Sequence, residues 1–304
     1  MTVVRMAPVT TERTQGLLEM AYAQERAGSL ADAIRIYLVI AAEAQRDGDS
    51  ATLTEVFRRM AIAHHIRGEP ARARDLGEQS LRVAREAGDE VLSAEALCTL
   101  AGFDLEAGRL DDAFKRYGRA LALSGGAPQL SARIQQNLGI IATERGDSAG
   151  AQAHYHQAIE SFVEAGDVCG RAMAHHNLGI VHSDRGEWDE AERNFMLSLK
   201  LADSAGDPRL TGLCRLNLAE VYLGERETGR ALASAEAALS IFSELGANLN
   251  LADAYRVIGR IRKVEGQRAL ALASLRTALE MARVTGAGLS AAAAERELEA
   301  LSEV

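Results

Sequence analysis

Gly146-Asp147-Ser148-Ala149-Gly150 spells G-x-S-x-G, a turn that can present a serine nucleophile when a strand precedes it and a helix follows. Here a helix is predicted before it, and Gly146 falls in register with Gly186 as a turn glycine. Ser148 is therefore read as a turn residue, and no Ser-His-Asp arrangement follows from the register. The seven histidines include the pairs His64-His65 and His175-His176, together with His154, His156 and His182. His182 lies seven residues after His175, close to the same helical face. No histidine is followed by Glu, and no carboxylate or cysteine completes a zinc-ligand spacing. The competing reading is a set of polar contacts on helix surfaces. Lys115, Lys200 and Lys263 follow Phe114, Leu199 and Arg262, so no lysine sits in a Gly-Lys-Ser/Thr phosphate loop. Cys98, Cys169 and Cys214 form no C-x-x-C pair and are odd in number, which points to reduced thiols. The chain is expected to carry no catalytic centre, no metal and no cofactor.

Composition agrees. A formal charge of −9 opposes the concentrated positive field that phosphate backbones require, so no nucleic-acid partner is expected. Apolar residues make up 47% of the 304 positions but aromatic ones only 4%, which suits thin layers of closely packed helices better than a thick core. Residues 1–10 hold a single Arg and no apolar run of signal-peptide length, and Ile36–Ala42 stops far short of a membrane span. A cytoplasmic location without membrane contact is the expectation.

What would hold any binding residues in place is a repeat. Turn glycines stand at Gly28, Gly68, Gly108, Gly146, Gly186 and Gly266, a period of forty with one step of thirty-eight. Five residues after each turn position comes Ala: Ala33, Ala73, Ala113, Ala151, Ala191, Ala231 and Ala271. Thirteen residues before each of these stand Met20, Met60, Leu100, Leu138, Leu178, Leu218 and Ile258; eight after stand Ala41, Leu81, Leu121, Ile159, Leu199, Leu239 and Leu279. These are the core rows of two helices per repeat. Gly48-Asp49, Gly88-Asp89, Gly166-Asp167 and Gly206-Asp207 join successive repeats as a helix stop followed at once by an N-cap carboxylate. The spacing predicts helices over 11–27, 33–47, 50–67, 70–87, 90–107, 110–124, 128–145, 148–165, 168–185, 188–205, 208–225, 229–245, 248–265, 268–285 and 288–302. Residues 1–10 are expected to be flexible, 11–287 to form seven repeats in one solenoid domain, and 288–304 to be a cap or the start of a linker. Two repeats depart from the pattern. The sixth has Arg226 at the turn, between Gly224 and Gly229, and the third ends in Ser124-Gly125-Gly126 with two residues missing. Either the stack bends there or, as preferred, neighbouring glycines shift the turn by a residue or two.

Asn177-Leu178-Gly179, then Gly186-Glu187-Trp188-Asp189-Glu190-Ala191, then Phe195, Ser198 and Leu199 resemble the tetratricopeptide repeat over about 11–285. The family's usual repeat is thirty-four residues; the forty-residue form ending in Gly-Asp is similar to the repeats of kinesin light chain, Pins-type adaptors and bacterial peptide-sensing regulators. The resemblance implies an all-α, right-handed superhelical solenoid of seven helix-turn-helix repeats with a C-terminal capping helix, and a concave groove lined by the first helix of each repeat. Family groove positions lie one before and two after the apolar Leu. One before it, this chain has Asn137, Asn177 and Asn217, amides able to donate to and accept from an extended peptide backbone. An Asn there can also bond a neighbouring helix, and both roles can coexist. Arg133, Gln136, Ile140, Met173, His176, Ile180, Leu213, Leu216 and Glu220 share these faces. Arg256, Arg260 and Lys263 form one basic face, with Arg58 and Arg59 similar near the other end; they either take acidic groups or are simply solvated. No three consecutive repeats carry the family's chaperone-tail clamp. The resemblance thus implies a non-catalytic scaffold binding a protein or peptide segment, with a sensory or autoinhibitory module of a larger regulator as the alternative. The oligomeric state is left open by these residues.

Overall fold

The computed structural model describes residues 12–125 and 127–302; the expected flexible segment 1–10 lies outside them. Fifteen helices are described: α1 (Glu12–Arg26), α2 (Leu30–Asp47), α3 (Ser50–Ile66), α4 (Pro70–Glu86), α5 (Glu90–Glu106), α6 (Leu110–Leu123), α7 (Pro128–Glu144), α8 (Ser148–Ala165), α9 (Val168–Asp184), α10 (Trp188–Ala205), α11 (Pro208–Gly224), α12 (Thr228–Glu244), α13 (Asn248–Val264), α14 (Arg268–Val284) and α15 (Gly288–Ser302). The largest departure from the predicted bounds is α2, which begins three residues early at Leu30.

The turns explain why the helices stop where they do. The six glycines at the turn between paired helices have φ between 70° and 75°, the left-handed conformation that a Cβ disfavours. The amide after each glycine then reaches back to a carbonyl in the last helical turn, as in Glu187 N–H to His182 O at 3.0 Å. At the start of the next repeat, Asp49, Asp89, Asp167 and Asp207 each accept an amide N–H from three residues on, satisfying one of the free donors of the first helical turn. Arg226 corrects one expectation: it takes the left-handed place itself, at φ 64°, and the flanking glycines do not move the turn. Its amide and that of Glu227 make the same backward bonds, to Leu223 O and Tyr222 O, so the register overrides the residue type.

Between Ile141 and Ala142 the chain divides into two compact units. In the first, α1 to α6 pack each on the next, and α3 also meets α5. Its core joins Tyr37, Ile40, Val56, Leu97, Leu100, Ile134 and Ile141. In the second, α8 to α15 pack in sequence, with α9 on α11, α11 on α13 and α13 on α15. There Phe195, Leu218, Val221, Phe242 and Ile261 form the core, and Leu275 with Leu301 a smaller cluster under α15.

The seven alanines after the turns expose no surface. A second small row stands one residue after the apolar row of the first helix: Ala21, Ala61, Ala101, Gly139, Gly179, Ala219 and Gly259, all buried. A Cβ added at Gly179 would lie 2.7 Å from the Phe195 ring, so the ring fills the space that the missing side chain leaves. Met20 departs from its row: it is 57% exposed, because no repeat stacks on the outer side of α1 among the described residues.

Candidate functional site

On α9, α11 and α13 of the second unit, side chains one period apart meet. The Asn217 amide donates to His176 Nε2 at 2.9 Å, and His176 lies edge-on to Phe195 at 5.7 Å. His176 is only 7% exposed; burial first, opposed by its bond to Asn177, holds its pKa below the ordinary histidine value. It therefore stands behind Asn217 as a neutral support, and Leu216 likewise belongs to the core. Met173, Asn177, Ile180, Leu213 and Asn217 are half-buried along α9 and α11.

Several charged residues of this unit pair with one another. Glu220 accepts from Arg260 and lies 3.8 Å from Arg256, which also pairs with Glu297 of α15 at 3.1 Å. These two cations of the predicted basic face thus already have carboxylates.

In the first unit, Arg133, Gln136, Asn137 and Ile140 stand on α7. Arg133 and Asn137 line a cleft of about 330 Å³ between α3, α5 and α7, together with Ile62, Thr99, Gly102 and Tyr117. Arg58 on its rim pairs with Glu55 and, at 3.7 Å, with Glu95. Arg59 pairs with Glu55 and Glu25 and lies over the Tyr22 ring. Cys98 lines the cleft too; burial first pushes its thiol up to about 12, far from a reactive thiolate.

The remaining chemical candidates resolve into structure. Ser148 is the first residue of α8, and Asp147 before it accepts the Gly150 N–H at 2.9 Å. The G-x-S-x-G run is a capped helix start. The histidines are not brought together on one ligand. His175 Nδ1 donates to Asn194 Oδ1 at 3.1 Å, while His182 and His64 bond Glu187 and Glu69 across their own turns at 2.6 and 2.7 Å. His64, His175 and His176 are buried, which corrects the expectation of surface contacts. Among the described residues no group of three His, Cys, Asp or Glu could hold a metal ion. Sequence reasoning missed these pairings, although a period-offset search would have found several: His65–Glu106, His176–Asn217, Glu220–Arg260 and Arg256–Glu297 are forty or forty-one residues apart.

Residues 92–162 and 170–244 match the sequence model of a family described as tetratricopeptide repeat. The chain is a tetratricopeptide-repeat protein. Solved structures with the same fold include BtubC (BKLC) from P. vanneervenii, 24% identical, covering 71% of this chain and 92% of that one with a TM-score of 0.65. The apo form of RapI is 16% identical over 89% of this chain and 98% of its own, with a TM-score of 0.67. A signal-transduction ATPase with a tetratricopeptide-repeat sensor from Pyrococcus horikoshii is 15% identical over 95% of this chain and 47% of its own, at 0.66. No curated protein matches the sequence. Tetratricopeptide repeats generally form non-catalytic, all-α solenoids that act as protein-interaction scaffolds. No helix among the described residues is long and apolar enough to cross a membrane.

Proposed function

We propose that this tetratricopeptide-repeat protein is a non-catalytic scaffold whose first helices bind an extended peptide segment of a partner protein. The observation that carries the reading is the amides that the first helices of each unit leave open. Asn137 lines an open cleft in the first unit, and Asn177 and Asn217 stay half-exposed on neighbouring helices of the second. Asn217 keeps its bond to His176 and still has its carbonyl oxygen available, so packing and recognition share one side chain. Apolar neighbours, Ile140, Met173, Ile180 and Leu213, would seat the side chains of a peptide held by its backbone. The negative net charge supports a protein partner over a nucleic acid, and three free cysteines suit the reducing cytoplasm.

The test is selection of a displayed random peptide library on the full chain, followed by replacement of Asn137, Asn177 and Asn217 together by Ala. Loss of three hydrogen bonds of about 1 kcal/mol each should weaken selected peptides roughly a hundredfold, with helical circular dichroism unchanged. Undiminished affinity in that variant would refute the reading.

A further inference from the structure

Two residues after the apolar row, the first helices carry Tyr22, Ile62, Gly102, Ile140, Ile180, Glu220 and Arg260. Only the third repeat has no side chain there, and the cleft between α3, α5 and α7 lies over that gap. Beneath it is Tyr117 of α6, 2% exposed, whose hydroxyl is 3.7 Å from where a Cβ at Gly102 would stand. That hydroxyl has no hydrogen-bond partner among the described residues, and Tyr117 lines the cleft, so a group entering there can bond it. Burial first, with Glu106 and Asp104 contributing, keeps the phenol protonated and hence a donor. At the rim stands Arg133, exposed and paired with no carboxylate among the described residues, its charge acting on both Tyr117 and Cys98. The other cleft cation, Arg58, is neutralised by Glu55 and Glu95, and the cleft's one carboxylate, Glu106, is taken by His65 at 2.6 Å. The side walls are apolar, with Ile62 and Ile134 across from the His65–Phe103 stack at 4.4 Å.

The requirements for an occupant follow. A cleft with Ile62 and Ile134 in its lining suits a methylene stem; the Tyr117 hydroxyl, the Asn137 amide and an unpaired guanidinium at the rim suit an acceptor with negative charge. We propose that the gap over Gly102 is a subsite for one glutamate side chain of the bound peptide, its carboxylate accepting from the Tyr117 hydroxyl and the Arg133 guanidinium. The inference rests on the groove reading and adds its specificity: Gly102 admits the side chain, and Arg133 selects its charge. Neutral glutamine would lose the charge-assisted bond.

Peptides selected on the full chain provide the test. They should share one glutamate, and changing it to Gln should weaken binding to the native chain tenfold or more but leave binding to the Arg133→Gln chain nearly unchanged. Gly102→Ala should weaken binding moderately and Gly102→Leu abolish it, with circular dichroism and urea midpoint confirming a folded chain in both. Tyr117→Phe should cost severalfold. A shared aromatic or C-terminal carboxylate in place of glutamate, or full binding by Gly102→Leu, overturns the subsite. If Gly102→Leu binds fully while the triple Asn variant does not, the groove reading stands and the subsite alone falls. A library that yields no binder, or peptides indifferent to both sets of changes, removes both.

Discussion

Replacing Arg226 by glycine should make the protein more stable, although it removes a whole charged side chain. Arg226 is exposed and has no side-chain partner among the described residues, so truncation forfeits no contact. Its left-handed backbone, φ 64°, costs a residue with a Cβ about 1–2 kcal/mol. Glycine returns about 0.4–1 kcal/mol of that through the freedom it adds to the unfolded chain. The net gain is about 0.5–1 kcal/mol. For a chain of this size such a gain raises Tm by only about 1 °C, so heat is the wrong probe. Urea unfolding followed by circular dichroism is better, because the midpoint should rise with an unchanged slope. Native-state hydrogen exchange adds a local readout: the Glu227 N–H, bonded to Tyr222 O at 2.8 Å, should exchange more slowly. The converse variant is Gly266→Arg, at φ 74° with nothing within 4 Å of a built Cβ, which should lose about 1 kcal/mol. If Arg226→Gly is neutral or destabilising and Gly266→Arg is tolerated, the turn conformation does not govern helix pairing here.

Asp104 exposes no surface and is approached by Arg74 and Arg109 at 2.9 Å and Arg116 at 3.1 Å; Asp104→Ala should cost about 3 kcal/mol, the low end for an uncompensated charge cluster because the arginines reach water, measured by urea midpoint. Acidification should weaken the fold early. His175 and His176 have depressed folded pKa values, mainly through burial, so the unfolded chain takes up protons that the buried rings refuse. Stability should therefore be level above the ordinary histidine value near 6.5 and fall as pH drops below it, and the double variant His175→Gln/His176→Gln should flatten that decline. An unchanged slope in the double variant would assign the acid sensitivity to other groups.

The fold was legible because its determinants are local and repeated. Turn glycines, the alanines five residues later and the Asp caps each act within one helix end, so single-residue types at a fixed spacing reveal them. Arg226 was misjudged because a glycine two positions away looked like a better turn, whereas core rows on both sides hold the turn in place. The histidines were misread as surface residues since neither period nor polarity reports that Phe195 closes over His176. The basic face of α13 looked available because the carboxylate partners of Arg256 and Arg260 lie a repeat away in sequence. The Gly102 subsite depends on an absent side chain, a phenol from the following helix and an unpaired arginine from the next repeat. No motif search joins these; only stacking does.

Contacts between neighbouring repeats also bear on how the protein would respond to being pulled. Among the described residues each repeat packs on its neighbours, as α9 packs on α8, α10 and α11. A load applied along the chain would therefore be borne by one interface at a time, and each repeat of forty residues that let go would pay out about 140 Å of extended chain. Within each unit, such a chain would lengthen in even steps and rewind in the same order, behaving as a ratcheted tether between whatever is fixed at its two ends.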